Sequence, residues 1–159
     1  MAVRSAANGT ETTVNVLVIN GPNLNLLGSR EPQIYGADTL AVLADRLAAA
    51  AQKAGVTVEM FQSDSERELI ARVQAAGGDG TDFIILNPAG LTHASVPFRD
   101  AFAAVSIPFI EVHLSNPYAR EPFRHRSLFS DLAVGVVAGF GIRSYEFALE
   151  AAVSHLAAR

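Results

Sequence analysis

Two side chains in this sequence could move protons, and each has a partner close by. Tyr35 lies on the stretch Asn20–Gly36, which also carries Arg30 and Glu31. A phenol ordinarily titrates near pH 10, and a cation held against the hydroxyl favours the ionised form, turning a weak acid into a usable base. An amphipathic ring anchoring a loop is an equally good account of a lone tyrosine, so at this point both readings stand. His113 follows an apolar run that also carries Glu111, two positions earlier and therefore on the same face of a strand. A carboxylate beside an imidazole favours the protonated ring, which makes a general acid near neutral pH. The alternative is a core histidine bonded to backbone; a place at the carboxyl end of a strand favours chemistry.

Other chemistries are poorly served. There is no cysteine, which removes disulfides, thiol nucleophiles and cysteine metal sites and suits the cytoplasm. The one lysine, Lys53, stands just before Gly55, where a cation suits a helix C-terminus. A Schiff-base mechanism needs a desolvated lysine, and no second candidate exists. His93, His113 and His125 fall in no H-x-x-x-H or H-E-x-x-H arrangement, which disfavours zinc. Gly139-Phe140-Gly141 lacks the third glycine of a dinucleotide loop and reads as a turn into the last helix. Asn87 stands where a phospho-receiver needs an aspartate, and no G-x-S-x-G elbow is present. Arg99-Asp100 lies in the first turns of a helix, where an acid ordinarily just matches the dipole. Arg124 and Arg126 are read as solvated unless a ligand reaches them, and Ser115 with nearby backbone N–H groups is suited to a carboxylate.

The elements that must position these residues can be read from periodicity. With 159 residues, half of them hydrophobic, the chain can bury a core as one domain over 14–159. The net charge of −4 and pI near 5.5 argue against nucleic acid or an anionic membrane as partner. No apolar run approaches the roughly 18 residues of a membrane span. Residues 1–13 have no apolar core of a signal peptide and read as a flexible tail.

Apolar runs at 14–19, 56–62, 83–86, 107–112 and 132–138 predict five strands. Between them, helical periodicity predicts helices from about Thr39 (with Asp38 as N-cap) to Ala54, after Ser65 to Ala76, Ser95 to Val105, and Ile142 to Ala157. Strands alternating with helices imply a doubly wound, flavodoxin-like parallel sheet of order 2-1-3-4-5 with helices on both faces. Ligands bind such sheets beyond the carboxyl ends of the strands. Asn20 and Asn23 follow strand 1, Asn87 ends strand 3, and His113 and Ser115 follow strand 4, so three loops converge on one crevice. The 17 residues from Asn20 to Gly36 are long for a strand-to-helix link, which is usually about 2–6 residues. Their glycines, prolines and asparagines predict an irregular bridge, its Asn23 end fixed and its Arg30–Tyr35 end a mobile lid.

Taken together, these positions resemble the type II 3-dehydroquinate dehydratases, from about Val14 to Val153. The motifs are I-N-G-P-N-L-N-L-L-G-x-R-E-P at 19–32, I-Y-G at 34–36 and Q-S-D-S-E at 62–66. They continue as N-P-A-G-L-T-H-x-S-V at 87–96, R-D at 99–100, I-E-V-H-L-S-N at 110–116 and A-R-E-x-F-R at 119–124. One departure is N-P-A-G, where N-P-G-A or N-A-G-G is also seen.

The resemblance implies a cytoplasmic hydro-lyase of the shikimate pathway, serving aromatic amino acid biosynthesis. It would convert 3-dehydroquinate to 3-dehydroshikimate through an enolate, without metal or cofactor. It makes Tyr35 the base and Arg30 the residue that favours its phenolate and stabilises the transition state. Asn23 would hold a water that stabilises the enolate oxygen, and Glu111 would orient His113, the proton donor. Asn87, Leu114 (through its backbone) and Ser115 would surround the substrate carboxylate and tertiary hydroxyl. His93, Arg124 and Asp100 of an adjacent subunit would hold the ring hydroxyls in a homododecamer of four trimers. The rival reading is a catalytically silent flavodoxin-like protein that keeps the crevice to bind a small hydroxy acid.

Overall fold

Val16–Ile19 alternate their side chains across a sheet, and both sets are buried: Val16 and Val18 on one side, Leu17 and Ile19 on the other. A strand apolar on both faces needs helices on both, and the fold supplies them. The structure, a computed structural model, describes residues 13–159; the tail expected at 1–13 lies outside the described residues except for Thr13. Five parallel strands, β1 (Asn15–Asn20), β2 (Thr57–Gln62), β3 (Phe83–Asn87), β4 (Phe109–His113) and β5 (Gly135–Ala138), run in the order β2-β1-β3-β4-β5. Helices α2 (Leu40–Ala54) and α5 (Arg143–Ala157) cover one face; α3 (Glu66–Ala76) and α4 (Val96–Val105) cover the other. This is the flavodoxin-like arrangement expected from the pattern of elements. No helix among the described residues is long and apolar enough to cross a membrane.

The register matters more than the layers. Asn20, the last residue of β1, pairs with Gln62 on one side and Asn87 on the other. One strand further on, Leu86 pairs with Glu111 and His113 with Ala138. The polar ends of β1, β3 and β4 are therefore level, and whatever follows them faces the same crevice.

Several details differ from the expectation; β4, expected over 107–112, is Phe109–His113. Helix α2 is capped by Thr39 and not Asp38: Thr39 is extended, and its hydroxyl accepts the Val42 N–H at 3.2 Å. Strand β5 begins at Gly135 and not at Leu132. Leu132 and Ala133 donate their N–H groups to the Phe129 carbonyl, closing a turn that seats the Phe129 ring against Phe98 and Phe102. The bridge is also less irregular than its composition suggests. It holds a 3-10 turn, Leu24–Leu26, and a one-turn helix α1 (Pro32–Tyr35) with Pro32 at its first position. Leu24 and Leu27 reach into the core and fix the near half of the bridge.

Candidate active site

Two guanidinium groups stand against the phenol of Tyr35. Arg120 Nη1 donates to the Tyr35 hydroxyl at 2.8 Å, and the Arg30 and Arg120 guanidinium carbons each stand 5.2 Å from the ring centroid. Arginine carries no acceptor, so the phenol oxygen must accept, and such a bond strengthens as the oxygen gains charge. Arg30 has an acid of its own, its Nε standing 3.6 Å from Glu31 Oε2. The direct bond to the phenol thus comes from Arg120, 85 residues away in the chain, while Arg30 covers the ring face.

The imidazole of His113 is held from beneath. Its Nε2 meets Glu111 Oε2 at 2.6 Å, and the Glu111 side chain is only 1 % exposed. Burial by itself would push the Glu111 carboxyl up, but hydrogen bonds from His113, Ser127 and Ser130 overcome it and hold the group below its ordinary value. The His113 ring, still partly open, lines the crevice.

The floor is built from amides. Asn87 is buried at the end of β3, where the proline that follows favours its extended geometry. Its Oδ1 accepts the Ala89 N–H at 3.1 Å, and its Nδ2 donates to the Tyr145 hydroxyl at 2.8 Å. That hydroxyl in turn donates to Asn20 Oδ1 at 2.7 Å. Burial keeps the Tyr145 phenol far above its ordinary value, so it stays a neutral link between the two amides. Ala89, at φ 52, holds a left-handed conformation that an L residue adopts at a cost. Beside it, Gly21 passes so close to β3 that a Cβ would stand 2.5 Å from the Pro88 carbonyl oxygen. Asn23 is left-handed as well (φ 69), and its backbone N–H is held by the Asp64 carboxylate at 2.8 Å.

One crevice is lined by Asn23, Arg30, Tyr35, Asn87, His93, His113, Leu114, Ser115 and Arg124. Of the residues singled out from sequence, Glu111 stands behind His113, and Asp100 is exposed on α4 outside this lining. His93 Nδ1 donates to the Arg126 carbonyl at 2.7 Å, and Arg124 pairs with Glu121 at 2.7 Å. Lys53 sits exposed in the last turn of α2, away from the crevice. Sequence reasoning assigned no role to Arg120, Asp64, Tyr145 or the serines at 127 and 130. Arg120 and Asp64 lie within motifs already noted, and that membership was the available signal. Tyr145 and the two serines had none.

A flavodoxin-like sheet with a phenol under two cations and an imidazole on a buried carboxylate, both facing the crevice at its switch point, defines an enzyme suited to acid–base chemistry. The family model for dehydroquinase class II matches residues 14–153. The 3-dehydroquinate dehydratase of Laribacter hongkongensis is 60% identical over 143 residues, covering 90% of this chain and 92% of that one. That of Stenotrophomonas maltophilia (strain R551-3) is 60% identical over 141 residues, or 89% of this chain and 95% of that one. Among solved structures, the type II dehydroquinase from Butyrivibrio crossotus superposes with TM-score 0.86 at 41% identity, covering 88% of this chain and 97% of that one. The chain belongs to the class II dehydroquinase family.

Proposed function

We propose that the crevice dehydrates 3-dehydroquinate to 3-dehydroshikimate by proton transfer, as a hydro-lyase of the shikimate pathway. The observation that carries this reading is the pairing of two differently supported proton carriers, Tyr35 and His113, on one crevice. Such a dehydration needs one base, one stabiliser of a developing oxyanion and one acid.

Tyr35 enters as phenolate and takes the proton α to the ketone. The carbon–hydrogen electron pair moves into the carbonyl, giving an enolate whose oxygen is stabilised by a water held on Asn23. Collapse of the enolate expels the β-hydroxyl, which takes a proton from His113 and leaves as water. Tyr35 then loses its proton to solvent and His113 regains one. Arg120 and Arg30 favour the charged phenol at the outset, and Glu111 orients the imidazole. Asn87 offers its second amide N–H, the first being donated to the Tyr145 hydroxyl. With the Leu114 backbone and Ser115, whose hydroxyl has no protein partner among the described residues, it binds the substrate carboxylate and tertiary hydroxyl. His93 and Arg124 take the ring hydroxyls.

Asp100 joins them from a neighbouring subunit. In support, it is exposed on α4 and outside the crevice of its own chain. This goes with assembly as a dodecamer of four trimers, which sedimentation would check, and with work in the cytoplasm.

The test is to mix the protein with 3-dehydroquinate and follow the ultraviolet absorbance of the conjugated enone. No enone above the uncatalysed rate overturns the reading. Tyr35→Phe should lower kcat by about 10³-fold, within the usual range for a general base, while substrate still binds by calorimetry. A variant with near-parental kcat would remove Tyr35 from that role.

A further inference from the structure

The residues that follow the crevice loop, 127–130, are not among those lining the crevice, yet they close around Glu111. Ser127 Oγ accepts two backbone N–H groups, from Phe129 at 3.0 Å and Ser130 at 3.2 Å. A hydroxyl has two lone pairs and one proton. With both lone pairs engaged, Ser127 has only its proton left to share, and Glu111 Oε1 lies 2.6 Å away. Ser130 Oγ stands 3.0 and 3.2 Å from the two carboxylate oxygens. Oε2 also meets His113 Nε2. A proton on Oε1 would therefore face the Ser127 proton, and one on Oε2 would face His113 Nε2–H in the tautomer that donates to the carboxylate.

We infer that Ser127 and Ser130 are positioning residues that keep Glu111 a pure hydrogen-bond acceptor, so that the transferable proton resides on His113. The inference deepens the proposed role of His113 as acid and rests on it. With Nε2–H committed to Glu111, a neutral ring offers the crevice a bare Nδ1, which accepts protons. Only the imidazolium carries a proton on Nδ1 to give away, and a buried carboxylate with no other partner charge is what retains an imidazolium.

Among the described residues, the surroundings supply no competitor. Glu111 is flanked across the sheet by Leu86 and Val136, both apolar. Among the described residues, His113 is the titratable group in contact with the carboxylate. The nearby ion pair, Arg99 with Asp131, is satisfied within itself, Arg99 also donating to the Leu128 carbonyl at 2.7 Å. Hydroxyls suit this place better than a lysine or arginine would. They lower the energy of the carboxylate without neutralising it, so its attraction for the imidazolium is kept. The turn can hold this geometry because it is anchored elsewhere. Leu128 N donates to the Thr92 carbonyl at 2.9 Å, Arg99 ties the turn to α4, and the Phe129 ring is buried in the core.

The test uses the full chain, labelled with ¹³C at its glutamate side-chain carboxyl carbons, and the variants Ser130→Ala, Ser127→Thr and Ser127→Ala/Ser130→Ala. Comparison with Glu111→Gln assigns the Glu111 resonance. Ser130→Ala leaves the Ser127 bonds to the turn backbone in place, so it probes the carboxylate without dismantling the turn. The Glu111 carboxyl should gain proton affinity in Ser130→Ala and rise by about one pH unit or more, a tenfold effect, in the double variant. Ser127→Thr, which keeps the hydroxyl, should titrate like the parent. An unchanged Glu111 titration in both Ser130→Ala and the double variant overturns the inference, whatever happens to activity. The acidic limb of kcat against pH should move with the carboxyl. If the carboxyl moves and that limb does not, the serines do what is stated, and it is the role of His113 as acid that fails.

Discussion

The two proton carriers of the crevice are supported in opposite ways. Tyr35 is partly exposed, on a one-turn helix at the far end of a long bridge, and its oxygen is held by a guanidinium from another loop. His113 is the last residue of a central strand, on a carboxylate that is buried and fully hydrogen-bonded. The difference follows from what each must do. A phenol needs cations to become a base, and cations are cheap to bring only where water still reaches their outer faces. An imidazolium needs a lasting negative partner, and a buried carboxylate keeps its field unscreened. The base is therefore placed on a partly exposed loop, and the acid at the end of a buried strand.

The largest effects should come from breaking each support in turn. Arg120→Met should lower kcat by about 10–100-fold, the loss expected for one charge-assisted hydrogen bond. Glu111→Gln should cost a similar factor. Both are read from kcat at saturating substrate; parental kcat in either variant would remove that support from the reaction. A spin or fluorescent probe on residues 29–35 should report more motion than one beside Asn23, sharpening the contrast between a mobile base and fixed groups.

Next in size is Tyr145→Phe, which acts on the floor common to both. It strips a partner from Asn20 Oδ1 and from Asn87 Nδ2, both buried. Leaving such groups unsatisfied costs roughly 1–3 kcal/mol, read as a lower urea midpoint, and KM should rise because the Asn87 amide loses its orientation. A midpoint equal to the parent's would show the link to be dispensable.

Acid should then weaken the acid side through Glu111. Its folded carboxyl is held below its ordinary value, so its contribution to stability is whole above the ordinary glutamate range and is lost as the pH falls through the lowered folded value. Urea midpoints taken downward through that range should drop more for the parent than for Glu111→Gln.

The smallest effect is Ala89→Gly. Relief of the left-handed strain outweighs the added freedom of the unfolded chain by a margin of about 0.5 kcal/mol, so a slightly higher melting temperature should appear with kcat unchanged.

Much of this is legible in the residues alone. Apolar runs of strand length, alternating with helical periodicity, dictate the doubly wound sheet, and the rule that ligands sit beyond strand ends brings Asn23, Asn87 and His113 to one crevice. The Glu111–His113 pair is legible because period two is a property of any strand. Local choices are less secure. Asp38 and Thr39 are both good caps, and the decision falls to which hydroxyl or carboxylate meets the Val42 N–H. Leu132–Val134 is apolar enough for a strand, but the bonds to Phe129 make it a turn.

What the sequence by itself determined is the order of the elements, the face each buries, and the side chains that stand at the ends of β1, β3 and β4. Those follow from short-range periodicity and from the handedness of the crossovers. What only the tertiary structure decided is who touches those side chains. Arg120 on Tyr35, Asp64 on Asn23, Tyr145 between Asn20 and Asn87, and the serines around Glu111 arrive from 16 to 125 residues away. Hydrogen bonds act over about 3 Å and depend on angle, and no spacing along the chain encodes that.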